Sequence, residues 1–202
     1  MEEKIVYFEK PGTENTDQVI DLVKERARAR SISRIVVAST RGNTARAFAE
    51  AVKETEYQLI VVPWQFGFKG REHPFPKDLV GELQAKNHKV HFGTMLFHTS
   101  DLYGTSAPQA MANILRTFGQ GIKVCLEIIM MATDGGCVDI GEKIIAVAGT
   151  AGGADTAVVA TAGPSTKIVS LRIHEIICKP YETKSWPAGE RPPFTRPPEP
   201  AK

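Results

Sequence analysis

Six consecutive residues, Ser39-Thr40-Arg41-Gly42-Asn43-Thr44, bring together three hydroxyls, an amide, a guanidinium and a glycine. They follow an apolar run at 35–38 and precede Ala45, Phe48, Ala49 and Val52, whose spacing marks one face of a helix. A loop entering a helix in this way presents the unpaired amides of the first turn and the positive end of the helix dipole. The glycine lets backbone approach a ligand closely, and the hydroxyls add donors. Such a loop binds anions, with phosphate as the natural guest. The competing reading is that Ser39, Thr40 or Asn43 only caps the helix. The run matches neither G-x-x-x-x-G-K-[ST] nor G-x-G-x-x-G, so it is neither a Walker loop nor a standard dinucleotide loop.

Two further loops share this chemistry. One carries Gly12, Asn15 and Thr16; the other carries Gly149, Thr150, Gly152, Asp155 and Thr156. Each follows an apolar run, and in a parallel sheet the loops after the strands lie on one edge, where ligands bind. All three are therefore expected to converge, with ordinary turn chemistry as the alternative. Gln65, Phe66 and Gly67, and then Thr94, occupy the next two loops of the same edge. Trp64, Phe66, Phe68, Met95 and Phe97 offer walls suited to a flat ring, or else form an aromatic core cluster under long loops. His98 falls in the same set and is the one candidate acid or base. The five histidines show no metal-ligand spacing, so no metal is expected.

The elements that must position these loops read as strand and helix in alternation. Apolar runs at 5–8, 35–38, 59–62 and 144–148 predict strands, and 89–92 reads as a further one. Helical spacing links Val19, Leu22, Val23 and Ala27, then Ala45 to Val52, then Leu79, Val80 and Leu83. Pro108 opens a further helix, with Met111, Ile114, Leu115 and Phe118 as its apolar face. Residues 122–132 are apolar nearly all round, interrupted chiefly by Lys123 and Glu127, which read as an i,i+4 ion pair on an enclosed helix. Segments 156–162 and 167–177 fit either a β pair or a strand and a helix. The expected fold is α/β: a three-layer, doubly wound, mostly parallel sheet over residues 1–180. The last 23 residues hold seven of the thirteen prolines, which predicts a loosely attached tail over 181–202 that Trp186 and Phe194 could pin to the domain or to a second subunit.

Composition excludes several classes. A length of 202 residues leaves no room for a (β/α)₈ barrel of about 250 residues with a second domain. With 25 Lys and Arg against 23 Asp and Glu, the net charge of +2 argues against nucleic acid as a partner. The longest segment without a charge, 102–115, is too short for a membrane helix, which needs about 20 apolar residues. The first residues lack the pattern of a secretion signal, so a cytoplasmic location is expected. Three cysteines with no C-x-x-C pair read as small buried hydrophobes.

Four motifs taken together carry a resemblance. They are Gly12-x-x-Asn15-Thr16, the run from Val37 to Ala45, Phe118-Gly119-Gln120-Gly121-Ile122-Lys123-Val124-Cys125, and the run from Ala148 to Ala157. Over residues 4–180 the chain resembles the stand-alone archaeal and bacterial proteins related to the pyruvate kinase C-terminal α/β domain. The 40–45 stretch is similar to the hydroxyl-rich loop with which that domain holds the phosphate of a sugar-phosphate effector. The resemblance implies that fold, a phosphate site at this loop and flavin mononucleotide (FMN) as ligand. It does not imply pyruvate kinase activity, whose barrel is missing. Whether the chain is an enzyme stays open. The alternative is a regulatory module that binds a sugar phosphate or nucleotide without chemistry, and a homo-oligomer is compatible with either reading.

Overall fold

The apolar run before each polar loop becomes a strand in the computed structural model, which describes residues 2–182. In chain order the strands are β1 (Val6–Phe8), β2 (Arg34–Ala38), β3 (Gln58–Val62), β4 (Lys89–Val90), β5 (Lys143–Ala148), β6 (Thr156–Thr161) and β7 (Arg172–Pro180). The helices are α1 (Thr16–Arg30), α2 (Asn43–Ala51), α3 (Lys77–Ala85), α4 (Ser100–Tyr103), α5 (Ala107–Arg116) and α6 (Gln120–Asp134). One sheet runs in the order β1-β7-β6-β5-β2-β3-β4. All neighbours are parallel except those of β6, which is antiparallel to both β5 and β7. Segments 156–162 and 167–177 thus form a β pair, joined by a 3₁₀ turn at Ser165–Ser170.

Strand geometry divides the core in two. Val36, Ile60 and Ala146 stand in register on β2, β3 and β5 and pack with Ile122, Cys125 and Ile129 of α6. Val37, Val61 and Val147, one residue on, point to the opposite face and pack with Val19 and Val23 of α1 and Phe48 of α2. Because both faces are covered, the central strands are apolar without alternation. α6 is enclosed, as its composition predicts. All three cysteines are free and buried.

Two boundaries and one helix face differ from the sequence reading. β4 ends at Val90, two residues early, because it is a short edge strand paired only through Lys89 and Val90. β7 runs through Pro180, which stands opposite Phe8, and the Tyr181 amide donates to the Phe8 carbonyl at 2.7 Å. Trp186 and Phe194 lie outside the described residues. The apolar face expected for α5 is largely uncovered: Met111, Ile114 and, two residues past the end of the helix, Phe118 are 42%, 64% and 56% exposed, while Ala112 is buried. α5 is the outer helix of its layer and approaches α6 through its small residue. Periodicity shows that such a stripe exists but does not show whether anything covers it.

The path of the chain opens a cleft. It winds from β2 to β3 and β4, then returns through α4, α5 and α6 to enter β5 on the other side of β2. The connection from β2 leads toward β3 and that from β5 toward β6, in opposite directions along the sheet, and a crevice forms between them at the carboxyl edge. Among the described residues, no helix is long and apolar enough to cross a membrane.

Candidate functional site

A cavity of about 660 Å³ occupies this crevice, within the range of small-molecule sites. It extends along α6 from Gln120 to Met131, eleven residues on, which is ~16 Å of helix.

The loop after β2 forms one wall. Gly42 takes φ 87, a left-handed turn that glycine adopts without strain, and α2 begins at the next residue. The Ser39 hydroxyl accepts from the Ala45 amide at 3.1 Å, so Ser39 does cap the helix. The amides of Asn43 and Thr44 take no acceptor among the described residues. Both of these residues line the cavity, together with Thr40 and Arg41. The first turn of α2 therefore offers two open amides and the dipole's positive end to the crevice.

The glycine-rich loop after β5 forms the second wall. Asp155 is fully buried, and its carboxylate accepts from the Thr150 amide at 3.0 Å and the Thr156 hydroxyl at 2.7 Å, which folds the loop back on itself. Gly153 has φ 67, and a Cβ there would meet the Thr13 Cα at 2.7 Å. The Thr16 hydroxyl accepts from the Ala154 amide at 3.1 Å and donates to the Thr13 carbonyl at 2.7 Å. This pins the loop after β1 to the loop after β5.

The third wall is apolar. Trp64 and Phe68 meet edge to face at 5.1 Å, the Lys69 ammonium lies 4.9 Å from the Trp64 ring centre, and Met95 lies beside them. The Phe68 ring in turn meets the His98 imidazole at 4.9 Å.

Charge is buried on the α6 side. Lys123 and Glu127 are 1% and 2% exposed and form an ion pair of 2.5 Å. The second Glu127 oxygen accepts from the Phe97 amide at 2.9 Å, and the Lys123 ammonium faces His98 Nε2 at 3.3 Å. Burial, reinforced by the Lys123 charge, pushes His98 down to about 4 from 6.5, so its imidazole is neutral and can accept from the ammonium. Burial also lowers Lys123, while Glu127 opposes that shift.

The structure brings Thr16, Ser39, Thr40, Arg41, Asn43, Thr44, Gly149, Thr150, Gly152 and His98 to one cavity. The other candidates stand behind it. Asn15 donates from its side-chain amide to the carbonyls of Lys10 (2.9 Å) and Gly12 (3.4 Å), closing the loop in which Gly12 lies. Gln65 accepts from the Met95 amide at 2.7 Å and ties two loops together. Phe66 turns to His73 and Phe92 instead of the cavity, and Gly67, with φ 77, makes the turn that sends it there. Thr94 is exposed outside the lining. Gly42, Asp155 and Thr156 shape loops without lining the cavity, and Thr156 fills the space that Gly121 leaves at the start of α6. Phe97 is buried beneath the site, with the Lys123 ammonium 5.2 Å from its ring centre.

Sequence reasoning treated Lys123 and Glu127 as a structural pair, and so missed their place on the cavity wall. The signal was present: two charges on a helix otherwise built to be enclosed. Arg116 and Gln120, hydrogen bonded to one another at 2.8 Å, also line the cavity and were not singled out as site residues. Among the described residues, no cluster of three or more His, Cys, Asp or Glu is placed to hold a metal. No family model matches the chain.

Proposed function

We propose that the protein binds a phosphorylated small molecule at the carboxyl edge of its sheet, with flavin mononucleotide as the ligand that fits best. The observation that carries this reading is the pair of open amides at Asn43 and Thr44, residues that line a cavity with an aromatic wall as well. The phosphate would rest on these amides, with the Thr40 and Thr44 hydroxyls and Arg41 as further donors. Trp64, Phe68 and Met95 would cover a flat ring, and α6 would support its other side. A slot of ~16 Å along α6 suits an extended molecule that is charged at one end and planar at the other. A flavin, when bound, supplies one- and two-electron chemistry; this chain's own part is to hold the phosphate, orient the ring and limit water around it. The resemblance of the 40–45 loop to a phosphate-holding loop supports the same placement.

A second reading rests on the hydroxyls of Thr13, Thr16, Thr40 and Thr150, which gather on the loop side of the cavity. They suit a sugar phosphate or nucleotide sensed without catalysis. Titration separates the two. FMN should bind at least tenfold more tightly than riboflavin, because only the former brings an anion to the α2 amides. Equal affinity would move the phosphate elsewhere. Failure of both to bind, with stabilisation by a sugar phosphate, would leave the sensor reading in its place.

A further inference from the structure

Lys123 is the most deeply buried charge that the cavity reaches. An ammonium has three donors. Glu127 takes one at 2.5 Å and His98 faces a second at 3.3 Å. Apart from the Phe97 ring, whose centre lies 5.2 Å away, the third finds no other partner among the described residues, and the residue lines the cavity.

The surroundings fix this ammonium in place. Glu127 cannot swing away, because its other oxygen is held by the Phe97 amide at 2.9 Å. The neutral His98 ring is braced by Phe68. A buried ion pair is weak evidence for stability, since apolar residues of similar volume commonly stabilise a core as well or better. On a helix as apolar as α6, the pair needs another reason to be there. Charge supplies one: Arg116 also faces the cavity, so this wall carries two cations against the single Glu127 carboxylate.

We propose that Lys123 receives the end of the ligand remote from its phosphate and selects a molecule that carries, or can take on, negative charge there. Glu127 and His98 are positioning residues for that contact. The inference rests on the phosphate-anchored binding proposed above and adds what the other end of the ligand must be. For FMN, the group addressed is the pyrimidine edge of the ring.

Sulfite tests this without any turnover. Its sulfur lone pair forms a bond to ring nitrogen N5 of oxidised flavin, and the displaced electron pair settles on the pyrimidine edge, where a nearby cation stabilises it. The probe is FMN bound to the whole chain, titrated with sulfite at pH 7. The parent is compared with a Lys123→Met, Glu127→Gln double variant, which removes both charges together and keeps an acceptor for the Phe97 amide. Sulfite should bind the parent complex at least tenfold more tightly than the variant complex. Free FMN in the same buffer gives a reference that requires no variant to fold, and the parent complex should exceed it by a similar factor. Equal sulfite affinity with FMN bound overturns the role of Lys123 alone. Failure of the parent to bind FMN overturns the phosphate-anchored reading and this inference with it.

Discussion

Ser39 precedes α2 and Thr44 lies in its first turn, and their hydroxyls differ in what holds them. That of Ser39 is held by the Ala45 amide, so Ser39→Ala should cost about 1 kcal/mol of stability, as for a lost helix cap. Its effect on FMN affinity should be small. Thr40→Ala combined with Thr44→Ala should instead weaken FMN by about 1 to 3 kcal/mol, the range for hydrogen bonds to a charged group. Thermal unfolding and ligand titration on both proteins check the contrast, and the reverse pattern would place the anion away from α2. The same division limits what the sequence makes legible. Hydroxyl-rich loops announce themselves by composition, but Ser39 as cap and Thr40 as lining have the same residue chemistry, and only the backbone path separates them. Lys123 and Glu127 were hidden for the opposite reason: an i,i+4 pair of opposite charges is what a solvated helix face also carries. Their depth depends on what packs over α6, which no local spacing encodes.

The elements were legible wherever burial on one side sets a period. α1, α2, α3 and α6 follow their apolar spacing, and β2, β3 and β5 follow their unbroken apolar runs. Segment 167–177 was ambiguous because Ile168, Leu171 and Ile173 satisfy spacings of both three and two; pairing with β6 selects the strand. The glycine loop after β5 tests how an element end shapes the site. Gly153 has φ 67 and no room for a Cβ, whereas a Cβ on Gly152 meets only the Thr13 methyl at 3.5 Å. Gly153→Val should therefore cost about 1 to 3 kcal/mol of stability through strain and crowding. Gly152→Val should leave unfolding close to the parent and reduce FMN affinity, because its side chain enters the lining. Lost stability with intact binding for Gly152→Val would remove this loop from the site. On α5, Ile114→Lys should shift stability by no more than about 0.5 kcal/mol, since the residue is exposed. Ala112→Leu, against α6, should cost about 1 to 3 kcal/mol by overpacking. Denaturant melts of the two variants distinguish the faces.

At the scale of the whole molecule, the topology was legible as far as strand-helix alternation carries it, and the β5-β6-β7 antiparallel turn-back was not, since hairpin-like pairing of long strands leaves no fixed residue signature. Stability against pH is a property of the entire fold, and the buried His88 and half-buried His91 and His98 set part of it. Burial lowers His88 and His91 as it lowers His98, to about 4 in the last case. Each of these groups takes up protons more readily unfolded than folded, so their contribution is present above pH 6.5 and is lost as pH falls below it, for His98 toward 4. His98→Gln, which keeps an acceptor beside Lys123, should flatten the dependence of the unfolding midpoint on pH between 6.5 and 4; an unchanged slope would show that His98 titrates alike in both states. The pairing of β1 with β7 has a consequence of another kind. Of the described strands β1 emerges first from the ribosome, but its neighbour in the sheet is the last of them to be made. Until β7 arrives, Thr13 and Thr16 have no anchored strand behind them, and the latch from Thr16 to the glycine loop, spanning 138 residues of chain, cannot be held in place. The cavity therefore acquires its β1 wall last, which makes ligand capture a report that translation has run through β7.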